Sequence, residues 1–246
     1  MPFTCSGARL KLDRANKHLH DLEEILTNLP NLYTVSVQAD GQGRGNRIEH
    51  DIPNLERIRD NLALITGDCV HNLRSALDFV WSETLARISP GADAKYFKFP
   101  IVNDGQYLES VLKDRKIDVL SPDLFRLMVA EIKPYKAGNT FLWSLHELDI
   151  IDKHRLLLPV VQSAGISGIT VKNQSEEITG DTWSIDAPPP YRIDIPSTHQ
   201  VKNEGKLTIS ILFDDGTPLK GSEVSDTLSV FQRLVSEVVK LLEGTA

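Results

Sequence analysis

Leucines recur at helical spacing at Leu10, Leu19, Leu22, Leu26 and Leu29 until Pro30, predicting an opening helix capped by Ser6. The pattern then shortens. Leu32, Tyr33, Val35 and Val37 read as a strand, and Arg47 to Ile52 can return antiparallel to it across the loop Asp40 to Asn46. A long helical region follows, with Asp51 as cap and Pro53 in its first turn, ending near Ile88 before Ser89, Pro90 and Gly91. Gly67 is a point at which it could kink or divide. KYFKFPIVND looks extended and leads to two helices near Gln106 to Ile117 and Pro122 to Ile132, the second closed by Pro134. Asn139 or Thr140 caps a further helix, which runs into LLLPVV at Leu156, where proline and β-branched residues signal a change to strand.

From Leu156 the periodicity is that of strands: Leu157 to Gln162, Ile166 to Asn173, Thr182 to Ile185, Tyr191 to Ile195 and Lys206 to Phe213, separated by Gly-, Pro- and Asn-rich turns. The chain finishes in an amphipathic helix with Val224, Leu228, Phe231, Val235, Val238 and Leu242 on one stripe. The fold class expected is α+β: a helical bundle with an antiparallel β insertion and a returning C-terminal helix. Its divisions are a bundle over 1–155 that includes a small β-hairpin, a β region over 156–220, and a helix over 221–246 that packs back.

One stretch interrupts the apolar pattern in a regular way. In GDCVHNLRSALDFVWSETL, residues 67 to 85, His71, Arg74 and Asp78 stand at offsets of three and seven. At roughly 100° per residue they share one stripe of the helix, with Ser75 and Ser82. The helix starting at Asn139 repeats the device, with His146, Asp149 and Lys153 at the same offsets. Polar groups inside a greasy bundle need partners, so the two rows are expected to face each other.

Composition bounds what such rows could do. The chain has 246 residues, enough for a sizeable core, and a formal charge of −7, which argues against broad electrostatic binding of nucleic acid. Basic clusters at Arg9, Lys11, Arg14 and Lys17 and at Lys113, Arg115 and Lys116 read as solvated helix faces. Gly41, Gly43 and Gly45 with Arg44 lack the lysine and hydroxyl residue of a phosphate-binding loop and read as a hairpin tip. Two distant cysteines, Cys5 and Cys69, exclude a disulfide framework, and Cys69 reads as a small core residue. The opening residues carry no secretory signature and no apolar run approaches the roughly 20 residues of a membrane span, so a cytoplasmic location is expected.

HNLRSALD at 71–78 and LHELDIIDKHR at 145–155 resemble a motif pair found in a family of uncharacterised bacterial proteins. At the level of fold the chain also resembles HEPN-type helical proteins of bacterial defence systems, some of which are metal-independent ribonucleases. That resemblance implies binding of RNA, a nucleotide or another anionic ligand, with cleavage as an extension; a homodimer is left open as an assembly. Those nucleases place a histidine several positions after an arginine and a polar residue. Here Arg74 and Ser75 are followed by Asp78, Phe79, Val80 and Trp81 instead.

Three chemistries remain open. His71, His146 and His154 with Asp78, Asp149 and Asp152 are metal-ligand types, but Arg74 and Lys153 in the same rows oppose a cation, so neither metal nor other cofactor is expected. In a metal-free site the catalytic set is His71, Arg74, Asp78, His146 and Asp149. Arg74, Lys153, Asp152, His154 and Arg155 would then bind an anion. Alternatively the cluster is a structural ionic lattice in a non-enzymatic interaction module, pairing Arg74 with Asp149 or Asp152 and His71 with Asp78 or Glu83. Trp81 and Trp143 are expected in the core or a pocket wall.

Overall fold

Helix α1 (Ser6–Asn28) buries Ala8, Ala15, Leu19 and Leu22 along one side and ends in a 3-10 turn at Leu29–Asn31. Its cap is Cys5, one residue before the expected serine: the Cys5 sulfur accepts from the Ala8 N–H at 3.4 Å. The reason is tertiary. Glu243, near the end of the last helix, accepts from the Cys5 N–H at 2.8 Å and pairs with Arg9, holding the first turn against it.

The computed structural model describes residues 4–31, 33–39, 45–89, 98–157, 159–180, 183–185 and 190–245. Within these, α2 (Leu55–Ile88) is the central rod, running unbroken through Gly67 and buried at Leu62, Val70, Leu73, Leu77, Val80, Trp81 and Leu85. It starts later than Pro53 suggested, after Asn54 in a left-handed conformation (φ 61°). The Asp51 carboxylate accepts from the Ile52 N–H instead of capping the helix. Around α2 pack α1, α6 (Thr140–His154) and α7 (Val224–Thr245), whose expected apolar stripe is buried at every position. The Asn139 side chain caps α6 by accepting from the Leu142 N–H. The stretch between α2 and α6 forms α3 (Gly105–Asp114), α4 (Ile117–Leu120) and α5 (Pro122–Arg126), then a wide π turn over Leu127–Ile132. Left-handed Lys116 divides the first of the two helices that the periodicity read here, whereas the second continues from α5 into the π turn and is closed after Ile132 by left-handed Lys133.

The strands form two antiparallel sheets. Strands β3 (Pro159–Lys172) and β7 (Gln200–Phe213) pair along their length, and β4 (Glu177–Gly180) and β5 (Trp183–Ile185) take the other side of β3. The two strands expected before Asn173 are thus one, with a bulge near Gln162, and β4 was not foreseen. The hairpin β1 (Thr34–Ala39) and β2 (Gly45–Asp51) pairs as expected, but its other neighbour is β6 (Tyr191–Pro196), giving the order β1-β2-β6. The glycine-rich tip lies outside the described residues over 40–44. Alternation identified β6, with Tyr191, Ile193 and Ile195 buried, but a period of two names no partner. A second core forms between the sheets from Ile48, Ile52, Ile166, Ile169, Tyr191 and Leu207. The result is an α+β fold with a helical bundle, an antiparallel β insertion and a returning C-terminal helix. No helix among the described residues is long and apolar enough to cross a membrane.

Candidate functional site

Helices α2 and α6 pack with their polar rows in contact. The partners differ from those expected. Arg74 turns to Asp78 on its own helix, Nη1 to Oδ1 at 2.5 Å, and not to Asp149 or Asp152. Its Nη2 donates to the Phe99 carbonyl at 3.1 Å, and its Nε points at His146 Nδ1 at 3.4 Å. Asp78 Oδ1 also accepts from the Phe99 N–H at 2.8 Å, so arginine and aspartate together grip both backbone groups of one residue. Phe99 belongs to the extended segment before α3, and its ring meets Trp81 edge to face, centroids 5.9 Å apart. Arg74 is only 6% exposed. With all three guanidinium nitrogens engaged within the protein and the residue buried, Arg74 is poorly placed to clamp an incoming anion.

His146 completes this inner group. Burial, reinforced by the adjacent Arg74 cation, pushes its pKa down from 6.5 to about 4. A neutral ring accepting at Nδ1 from Arg74 carries its proton on Nε2.

The outer group sits around Asp149, which is 3% exposed. His71 Nδ1 lies 3.0 Å from Asp149 Oδ1, and the Lys153 ammonium lies 2.5 Å from Oδ2. His71 therefore pairs across the helix interface and not with Asp78 or Glu83. The His71 and Lys153 side chains are both half exposed, at 51% and 53%. Ser75 Oγ stands 3.5 Å from His71 Nε2, so serine, imidazole and buried carboxylate follow one another as in a nucleophile, base and orienter. The backbone does not support acyl transfer there. Ser75 is in the middle of α2, where neighbouring N–H groups belong to the helix ladder and cannot hold an oxyanion.

The remaining sequence candidates lie elsewhere. Asp152 rests against Gly67, where a Cβ would come within 2.3 Å of its Oδ1. Glycine is thus needed for close approach and not for a kink. Burial raises the Asp152 pKa, opposed by a hydrogen bond from the Leu157 backbone. Arg155 donates to the Gly216 carbonyl at 2.8 Å, tying the end of α6 to the turn after β7, and His154 is exposed beside it. Neither joins the seam. Among the described residues, no group of three or more His, Cys, Asp or Glu side chains is placed to hold a metal ion. Cys5 and Cys69 are free and buried, with thiol pKa values raised by burial to about 11 and about 12. Trp81 is fully buried, and Trp143 is half covered with the Lys136 ammonium 4.6 Å from its ring centroid.

Phe99 is the participant that sequence reasoning missed. The available signal was that an extended segment crossing a bundle must satisfy its backbone groups, and the polar rows were the nearest donors and acceptors.

Comparison of the chain with protein-family models, with curated proteins and with solved structures returns no match.

Proposed function

We propose that this chain is a non-enzymatic interaction module of the cytoplasm, in which the His/Arg/Asp seam is a lattice that locks α2, α6 and the segment around Phe99 together. The observation that carries this reading is the engagement of Arg74. The residue best suited to clamp an anion is 6% exposed and donates to Asp78, Phe99 and His146. A lattice of this kind orients elements that apolar contacts alone would let slide.

A second reading keeps an anionic ligand, RNA or a nucleotide, at the outer end of the seam. It draws on the half exposure of His71 and Lys153. One variant separates the two. Thermal melts of Arg74→Met and wild type, each with and without inorganic phosphate or an RNA oligonucleotide, should show a markedly lower midpoint for the variant and no ligand-dependent shift for either. A variant that melts like wild type removes the lattice reading, and a stabilising shift of wild type by RNA or phosphate favours the second.

A further inference from the structure

The exposed edges of the two sheets are not alike. Strand β6 carries Arg192 and Asp194, paired with Glu49 and Arg47, and ends at Pro196. Strand β7 carries Lys202, Glu204 and Lys206, and β4 is four residues long with Glu177 at its start. Charge, proline and shortness are the usual protections of a strand edge against pairing with another chain. Strand β1, TVSVQA, has six residues and neither charge nor proline. Among the described residues it pairs only with β2, in unbroken register from Thr34↔Asp51 to Ala39↔Asn46.

Its side chains point the same way. Val35 stands opposite His50 and Val37 opposite Ile48, and residues directly opposite share a face of the sheet. His50 and Ile48 are fully buried in the second core, whereas Val35 and Val37 on that same face are 38% and 42% exposed. The apolar layer therefore stops one strand short of being covered.

We propose that β1 pairs antiparallel with β1 of a second copy of this chain, joining two three-stranded sheets into one of six. A two-fold axis sets the strand against its own antiparallel copy, residue i facing j and j facing i, so like charges on a charged strand would be brought together. β1 has no charge to repel, although a quarter of the chain is charged. One strand pair offers less than the about 1,000 Å² that marks stable interfaces, so the association is weak and rises with protein concentration. This deepens the interaction-module reading by naming the partner, yet it is measured independently of Arg74.

Sedimentation velocity on the full chain over a wide concentration range should show a monomer passing into a dimer. Val35→Lys/Val37→Lys should stay monomeric throughout with an unchanged circular dichroism spectrum and melt, since both positions are exposed. Ser36→Cys supplies a second readout, because the native cysteines are buried. Mild oxidation should link its dimer, whereas Val119→Cys, at a site 76% exposed on α4, should link far less. A monomer at every concentration, a dimer indifferent to the lysine pair, or equal cross-linking at both positions would overturn the proposal. Pairing of β1 with added extended peptide while the chain stays monomeric would overturn self-association too.

Discussion

The two halves of the seam between α2 and α6 use the same residue types and differ in what surrounds them. Inside, Arg74 is buried and Asp78, its partner four residues on, holds Phe99 as well. Outside, the carboxylate is the buried member, and Asp149 is satisfied by the His71 ring and the Lys153 ammonium, which reach in from water. Burying the cation commits the inner half to a fixed geometry, because a guanidinium taken out of water must find every donor a partner. Burying only the anion leaves its outer partners, His71 and Lys153, open to solvent.

The sharpest test of that contrast is Arg74→Met. It strands the Phe99 carbonyl and half of the Asp78 interactions, and should cost roughly 3 kcal/mol, at the low end for a broken buried pair because Asp78 is partly exposed. Chemical denaturation measures this. Arg74→Lys should recover little, since one ammonium cannot replace three divergent donors.

Acid should act next, and through the inner half. His146 is neutral in the fold, with its pKa depressed from 6.5 to about 4, whereas unfolded it takes up a proton near 6.5. Its contribution is complete above about pH 6.5 and is lost as pH falls toward about 4. Burial also lowers the pKa values of His18 and His50, which bend the curve in the same direction. The informative quantity is therefore the difference from His146→Asn, whose carbonyl can still accept from Arg74. Its denaturation midpoints should vary less with pH across that window.

In the outer half the effects should shrink. Asp149→Asn keeps the shape but turns an amide toward a cation, at about 1–2 kcal/mol. Lys153→Met should cost under about 1 kcal/mol, the range of exposed ion pairs, because His71 still serves Asp149. If denaturation gave Lys153→Met a cost equal to that of Arg74→Met, the two halves would not differ as described.

Much of this was legible beforehand where local pattern and tertiary demand coincide. The α7 stripe, the stop of α2 near Ile88, the Asn139 cap and the β1–β2 hairpin follow from spacing, turn chemistry and burial alone. Matching offsets in two apolar helices also announced that His71, Arg74, His146 and Asp149 would meet. The choice of partner was not legible. Arg74 could reach several carboxylates, and what decided it was the Phe99 backbone, which lies between the helices and needs both a donor and an acceptor.

What the sequence by itself determined is therefore periodic: which residues share a face, where helices stop, which positions are apolar enough to be covered. Tertiary structure decided the rest because it depends on elements far apart in the chain. Cys5 displaced Ser6 as cap through Glu243, Gly67 proved to be a seat for Asp152 and not a hinge, and β6 joined the hairpin sheet across the second core. A period says which way a side chain points along its own element, and only packing says what waits there.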